Sequence, residues 1–120
     1  MKTIVCGSRK SESYLREAVF QYLEQCPWEI TELVSGKATG VDLFAEQWAA
    51  KRKVPIRPFP ALWRPSKHSS KVDRSAGPRR NALMAEYAEA CIAFPGGVGT
   101  ADMLNKAKRA GLRIWEPMQE

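Results

Sequence analysis

The sequence predicts an α/β fold in which an open, parallel sheet of five strands carries helices on both faces. Three observations lead to this prediction. Short apolar runs alternate with segments of helical periodicity along the 120 residues. The run 90–94 is apolar throughout, as in a strand that is covered on both faces. Three of the apolar runs end in turns that contain glycine, at the edge where open α/β sheets bind ligands.

The first half of the chain provides three strands and two helices. We predict a first strand at Lys2–Cys6, and then a helix that a serine at 11 or 13 caps and that ends before Pro27. A second strand at 30–34 precedes a helix at 43–53. The third strand, at 54–59, contains prolines, which is typical of a short or edge strand.

The second half begins with a basic loop at 61–78, which is longer than most loops and therefore predicted to be functional or mobile. A helix at 79–88 and a strand at 90–94 follow. The last helix is predicted to start at a Thr100 cap and to end at Gly111, and 112–115 forms the fifth strand.

Size and charge indicate one domain, residues 1–120, with an anionic partner. The net charge is +6, and the window 64–80 has six arginines and lysines against one aspartate. Such a concentration favours a nucleotide or a nucleic acid, without deciding between them. In the loop at 61–78, Trp63 is predicted to anchor the loop or the core edge, with stacking on a base as the alternative. His68 is predicted to face solvent rather than to act as a catalytic base.

Features that the sequence lacks lead to expectations about the location of the protein and its metal content. No apolar run approaches the roughly 20 residues of a membrane span, and the N-terminus leads directly into a strand, so we expect a cytoplasmic protein. Three cysteines far apart and a single histidine argue against a zinc site, so we expect no metal.

The turn after the fourth strand is the strongest candidate site. It reads Pro95-Gly96-Gly97-Val98-Gly99-Thr100. Its glycines are expected to allow positive φ and close approach of a ligand, and a helix N-terminus that follows a glycine turn suits a phosphate. The alternative is a plain strand-to-helix turn without a ligand.

Two further turns and one helix start are expected to complete this site. Gly7, Ser8 and Arg9 follow the first strand and suit a phosphate or ribose, or else form an ordinary turn. The turn after the second strand supplies Ser35, Gly36, Thr39, Gly40 and Asp42, whose carboxylate either caps a helix or binds ribose hydroxyls. In the first turn of the helix at 79–88, an anionic ligand would relieve the unfavourable effect of cations near the helix N-terminus. The residues concerned are Arg79, Arg80 and Asn81.

Four motifs in order resemble the SLOG superfamily, which joins DprA-like and Lonely Guy (LOG) proteins in a Rossmann-like fold. They are Cys-Gly-Ser-Arg at 6–9, Ser-Gly-x-x-x-Gly-Val-Asp at 35–42, Arg-Asn-x-x-Met at 80–84 and Pro-Gly-Gly-x-Gly-Thr at 95–100. The sequence is most similar to the small YspA-type, cpYpsA-related branch of bacteria and phages. The resemblance implies a bound nucleotide such as AMP, ADP-ribose or a NAD-like molecule, with its phosphate at the last motif, and no required cofactor.

The resemblance leaves three functions open. A sensor or processor of a nucleotide signal is the first. The second is a LOG-like phosphoribohydrolase with Arg80 and Asp102 as candidate catalytic residues, although the glutamate of the LOG pattern falls on Met103, which cannot transfer protons. The third is DprA-like binding of single-stranded nucleic acid. A homo-oligomer is compatible with all three, because small α/β domains often pair.

Overall fold

The computed structural model describes residues 1–62 and 73–118. Within these ranges strands and helices alternate along the chain as the sequence predicts. Each observed strand overlaps its predicted range, and the differences are confined to the first and last residues of the strands. The elements are β1 Lys2–Cys6, α1 Ser13–Glu24, β2 Glu32–Ser35, α2 Val41–Arg52, β3 Ile56–Pro58, α3 Ala76–Tyr87, β4 Ala90–Ala93, α4 Val98–Arg109 and β5 Arg113–Trp115.

The sheet is parallel throughout and has the strand order β3-β2-β1-β4-β5. Its centre is β1, where Ile4 pairs with Val34 of β2 on one side and with Cys91 of β4 on the other. The strand β3 lies at an edge, as its prolines predict, because a proline cannot donate to a neighbouring strand. The predicted five-stranded parallel sheet is therefore confirmed.

Helices cover both faces of the sheet. Side chains alternate along the strands, so that Val5, Leu33 and Ile92 pack with α1 and α2 on one face. On the other face Ile4 and Val34 pack against α3 and α4. All five side chains are fully buried, and each such burial is worth about 1.5–3 kcal/mol. The central strands are apolar on both faces for this reason.

Helix α3 begins earlier than the sequence predicts. It starts at Ala76, so the basic loop ends before 78, and Pro78 lies within the first helical turn. A proline is tolerated there because its missing N–H has no partner within the helix. The predicted first-turn cations Arg79 and Arg80 therefore lie in the second turn, where the helix dipole has faded. The predictions for Trp63, His68 and the cations at 64, 67 and 71 lie outside the described residues.

The predicted side-chain caps of three helices are wrong. The residues that precede α1, α2 and α4 are Glu12, Gly40 and Gly97, and none of the three makes a side-chain capping bond. Both α2 and α4 begin immediately after a glycine, so Asp42 and Thr100 lie inside the first turn of their helices. The predicted end of α4 is confirmed, because Gly111 follows it with a φ of 76°.

Candidate functional site

A cleft opens at the carboxyl edge of the sheet between β1 and β4. From β1 the chain winds outward to β2 and β3 and then returns to β4 on the other side. The helices that follow β1 and β4 therefore lie on opposite faces of the sheet, and a crevice opens where the strand order reverses. The cavity measures about 690 Å³, within the range of small-molecule sites. Its lining comes from the connections after β1, β2 and β4 and from helix α3, and it includes Cys6, Gly7, Ser8, Arg9, Gly36, Asp42, Arg80, Asn81, Pro95, Gly96, Gly97, Gly99, Thr100 and Met103.

The loops after β1 and β4 touch each other, and two glycines make this contact possible. The Ser8 N–H donates to the Pro95 carbonyl oxygen at 3.0 Å. A Cβ at Gly96 would lie 2.3 Å from Thr100 Oγ1 and 2.9 Å from the Ser8 nitrogen, and one at Gly7 would meet Val41 at 2.8 Å. Both glycines are therefore required by packing.

The start of α4 forms one wall of the cavity. Gly97 precedes the helix without a side-chain cap, and Val98, Gly99 and Thr100 make its first turn. The first N–H groups of a helix have no partner within the helix and carry partial positive charge. The predicted positive φ is wrong here, since the positive-φ glycines among the described residues are Gly40 and Gly111.

Two glycines in this wall have no packing requirement. A Cβ at Gly97 or Gly99 would meet no atom within 4 Å, and neither residue has a positive φ. Within a helix, where Gly99 lies, glycine is also less favourable than alanine by about 1 kcal/mol. The fold therefore gives no reason for glycine at 97 and 99, whereas a ligand that approaches the backbone does.

The loop after β2 forms another part of the cavity wall and is fixed by internal hydrogen bonds. The Ser35 hydroxyl donates to Glu46 at 2.6 Å and accepts from the Lys37 N–H at 3.1 Å, while Lys37 pairs with Glu46. The Thr39 hydroxyl donates to the Arg9 carbonyl oxygen at 3.3 Å. Ser35 and Thr39 thus support the loop, and neither lines the 690 Å³ cavity.

Asp42 supplies a carboxylate to the cavity wall. Its side chain accepts the Ala38 N–H at 3.2 Å, and the residue is 8% exposed. Burial raises the pKa of Asp42 to about 6, against the opposing effects of the Ala38 N–H and the Arg80 guanidinium. A carboxylate with this pKa is ionised above pH 6 and can accept hydrogen bonds from hydroxyl groups.

Arg80 lies between the loop after β2 and the cavity. Its Nη1 donates to the Gly36 carbonyl oxygen and, at 3.4 Å, to that of Phe59. Its Nε donates to Asn81 Oδ1 at 2.9 Å. A Cβ at Gly36 would collide with the guanidinium, at 2.4 Å from Nη1. The glycine at 36 therefore makes room for Arg80.

Arg79 and Asp102 lie outside this cavity lining, as Ser35, Thr39 and Gly40 do. Arg79 is exposed and forms an ion pair with Asp73. Asp102 accepts hydrogen bonds from Lys106 and Asn81, and although partial burial acts to raise its pKa, these bonds hold the pKa below its ordinary value. Of the two candidate acids, Asp42 rather than Asp102 lines the cavity.

Sequence reasoning missed the apolar part of the lining. Tyr14 and Val98 stand exposed at the mouth, at 65% and 89%. Their positions in the first turns of α1 and α4 were a usable signal, because helices that follow parallel strands all begin at this edge. Met118 reaches the cavity from the tail after β5, and no local pattern in the sequence indicates that.

A smaller cavity of about 280 Å³ continues the cleft beyond Arg80. Arg9, Gly36, Ala38 and Arg80 line both cavities. The smaller one adds Lys37, Thr39, Pro60 and Ala61. The two spaces therefore share a wall that contains two arginines.

The remaining chemistry of the described residues is limited. The hydrogen bond with Cys91 and burial raise the pKa of the Cys6 thiol well above its ordinary value, so Cys6 is a poor nucleophile.

Residues 1–62 and 73–118 contain no cluster of three or more histidine, cysteine, aspartate or glutamate side chains that could hold a metal ion. Over the same ranges no helix is long and apolar enough to cross a bilayer. The cytoplasmic location and the absence of a metal stay predictions.

Comparison with known proteins identifies the family. The model of the YspA, cpYpsA-related SLOG family matches residues 1–65, just over half of the chain. No curated protein sequence matches.

Solved structures share the fold at low sequence identity. DNA processing protein A (DprA) from Streptococcus pneumoniae has a TM-score of 0.74 and 17% identity, covering 94% of this chain and 48% of its own, so the present chain spans about half of that protein. TM1055 has a TM-score of 0.66 and 15% identity, covering 95% and 72%. DprA from Helicobacter pylori, described for its single-stranded DNA binding mode, has a TM-score of 0.67 and 14% identity, covering 100% and 67%. These likenesses confirm the Rossmann-like fold.

Proposed function

The chain belongs to the YspA, cpYpsA-related SLOG family, and from this premise we propose that it binds a nucleotide or a nucleotide-derived ligand in the cleft between β1 and β4. The role that fits such binding is that of a sensor or processor of a nucleotide signal. The observation that carries the proposal is the start of α4, where Gly97 and Gly99 line the cavity although neither packing nor backbone conformation requires glycine.

The phosphate of the ligand binds at the first turn of α4. A serine, aspartate or asparagine before a helix satisfies the first N–H groups with its own side chain. Gly97 leaves those N–H groups available, in a cavity whose lining also includes Arg80. Backbone donors, the helix dipole and a guanidinium are the groups that bind phosphate in proteins.

The nucleoside occupies the rest of the cavity. Asp42 accepts hydrogen bonds from ribose hydroxyls, since it is the carboxylate in the described lining and is ionised at neutral pH. Tyr14 offers an exposed ring at the mouth for a base. The second cavity beyond Arg80 gives room for a further group, so an extended ligand such as ADP-ribose or a NAD-like molecule fits the cleft better than AMP does.

Hydrolysis of the glycosidic bond is the less supported alternative. The residue at the glutamate position of the LOG pattern is Met103, which is buried in the cavity wall and has no ionisable group. A thioether can neither transfer a proton nor stabilise an oxocarbenium ion as a carboxylate does. Asp42 is the acid from which any such activity would have to come.

Single-stranded nucleic acid is a second candidate ligand, which the mouth of the cleft favours. The exposed residues Arg9 and Lys10 stand beside Tyr14, and single strands bind through cations that follow the backbone and aromatic rings that stack on bases. The structural likeness to a DprA described for its single-stranded DNA binding is consistent with this candidate.

The test compares two aspartate substitutions on α4 by titration calorimetry with AMP, ADP-ribose, NAD and a short single-stranded oligonucleotide. Gly97→Asp places a carboxylate where the phosphate is expected, and an aspartate before a helix does not weaken it. We expect the variant to fold normally and to lose at least about tenfold in affinity, because its carboxylate takes the N–H groups and repels the phosphate. Ala101→Asp adds the same charge on the same helix, at an exposed residue outside the cavity lining, and keeps binding.

Three outcomes separate the candidates. Equal binding by the two variants would show that the phosphate is not at α4. Affinity for the oligonucleotide alone, with a steep loss as salt rises, favours the nucleic acid, because binding across many phosphates releases many counterions. Release of free base from a bound nucleotide would establish the hydrolase, and loss of that activity in Asp42→Asn would assign its chemistry to Asp42.

A further inference from the structure

Asn81 is a buried polar side chain whose two polar atoms are both used. The residue is 6% exposed on α3. Its Oδ1 accepts the Arg80 Nε–H at 2.9 Å, and its Nδ2 donates to Asp102 Oδ2 at 2.9 Å and to the Gly99 carbonyl oxygen at 3.4 Å. The amide cannot be turned over, since that would place donor against donor and acceptor against acceptor.

Asp102 gives this amide a fixed acceptor. Lys106, one helical turn further along α4, donates to Asp102 Oδ1 at 2.6 Å and so holds the carboxylate from the other side. Asp102 does not line the cavity, so it cannot reach a ligand there directly. Its effect on the site must pass through Asn81.

The other end of the chain of hydrogen bonds is Arg80. Carbonyl oxygens of Gly36 and Phe59 hold its Nη1, and Asn81 holds its Nε. An arginine has several rotatable bonds, and ordering it on binding costs free energy. A guanidinium that is already held by three neighbours is preorganised for an anion.

We infer that Asn81 and Asp102 are positioning residues that fix the Arg80 guanidinium and the first turn of α4 at a constant separation around the ligand phosphate, an inference that rests on the proposed function. Lys106 orients Asp102, Asp102 orients the Asn81 amide, and the amide then holds Arg80 with its oxygen and Gly99 with its nitrogen. Asparagine suits position 81 because it presents an acceptor and a donor back to back. An aspartate there would face the carboxylate of Asp102.

The first test follows the Arg80 Nε–H signal in ¹H–¹⁵N spectra, assigned by its loss in Arg80→Lys. We expect the signal to disappear or move to the position of solvent-exposed arginines in Asn81→Leu and in Asp102→Leu. Asp102→Asn keeps an oxygen that can accept from Asn81, so it should retain the signal. Thr3→Val, which removes a buried hydrogen bond with Trp28 at the other end of β1, is the control for a general loss of stability.

The second test measures the affinities of AMP, inorganic phosphate and adenosine for the same variants. Removal of a partner that orients a metal ligand typically costs 10–100-fold, and we take the lower end of that range for partners that orient a guanidinium. We expect about tenfold weaker binding of AMP and phosphate in Asn81→Leu and Asp102→Leu, less than about threefold in Asp102→Asn, and unchanged adenosine binding. Asp102→Leu keeps the inference testable if Asn81→Leu does not fold, because Asp102 is partly exposed.

Each contrary result has a distinct meaning. If AMP binds the wild type and both leucine variants equally well, or if the Arg80 signal is unchanged in them, the positioning role is wrong while the proposed function stands. If Asp102→Asn is as damaging as Asp102→Leu, orientation of the amide is not what Asp102 provides. If the wild-type protein binds none of the three probes, the proposed function and the positioning role are both overturned, because no phosphate is then bound beside Arg80.

Discussion

Two turns at the carboxyl edge look alike in sequence and differ in structure. The turn at 35–42 and the turn at 95–102 each follow a buried strand, contain glycines, open a helix and end on an aspartate. In the first turn, a Cβ at Gly40 would lie 2.3 Å from the Ser8 carbonyl oxygen. In the second turn, Gly97 and Gly99 face open space.

Their aspartates differ in the same way. Asp42 is buried in the cavity wall and its pKa is raised, chiefly by burial. Asp102 is held by Lys106 and Asn81, and its pKa is lowered despite partial burial. The first turn is thus packed against its neighbours at Gly40 and contains a carboxylate that destabilises the fold when it is ionised. The second turn is closed at Gly96 but leaves its backbone open at Gly97 and Gly99. The comparison teaches that glycines in similar motifs serve packing at one position and leave the backbone accessible at another.

The largest expected effect is that of Gly40→Ala. The residue has a φ of 77°, which costs alanine about 1–2 kcal/mol, and the new Cβ would also collide with the backbone of Ser8 and Arg9. We expect urea unfolding to report a loss of more than about 3 kcal/mol. A loss below about 1 kcal/mol would mean that this loop moves freely and is not the fixed wall described above.

The next effect is that of Asp42→Asn and depends on pH. The pKa of Asp42 is about 6 in the folded protein, against an ordinary value of 3.8. Because the folded pKa is raised, the favourable contribution of the neutral carboxyl is present below about pH 4 and is lost as the pH rises through about 6. Asparagine is neutral at every pH and can still accept the Ala38 N–H. We expect it to stabilise the protein by about 1–3 kcal/mol at pH 8 and not at pH 4.

Asp102→Asn is the matched control for this measurement. The pKa of Asp102 is lowered, so its contribution is present at neutral pH and is lost only as the pH falls through that lowered value. The asparagine should therefore leave stability at pH 8 unchanged or reduce it. Chemical unfolding curves at pH 4, 6 and 8 check both signs, and equal responses of the two variants would remove the distinction between the aspartates.

The smallest effect is that of Gly99→Ala, which is the same substitution as Gly40→Ala in the opposite surroundings. The new Cβ meets no atom within 4 Å, and the residue lies within α4, where alanine is the better helix former. We expect stability to rise by about 0.5–1 kcal/mol and the affinity for AMP to fall, because the methyl group covers the backbone. A variant that is more stable and binds as well as the wild type would leave glycine at 99 without a function.

Local patterns in the sequence predicted the elements but not all of their starts. The bounds of β1 and the glycine after α4 were predicted correctly because strand and cap signals lie in consecutive residues. The start of α3 was missed, since Pro78 suggested a loop although a proline also fits a first helical turn. The caps of α2 and α4 were missed because a glycine can turn the chain without any side-chain signal.

Most of the residues predicted for the site line the cavity and some do not, and binding of a ligand by them stays a prediction. The alternation of strands and helices and the position of the glycine turns determined the α/β sheet and the edge at which a ligand could bind, because the ends of parallel strands meet at one edge. Only the tertiary structure decided which glycines are closed by neighbours, which aspartate enters the cavity and that Tyr14 and Met118 join it. Those facts depend on distances between residues that are far apart in the chain. Burial raises the pKa of Asp42, whereas hydrogen bonds with Lys106 and Asn81 lower that of Asp102. Both effects depend on such distances and not on the residue type.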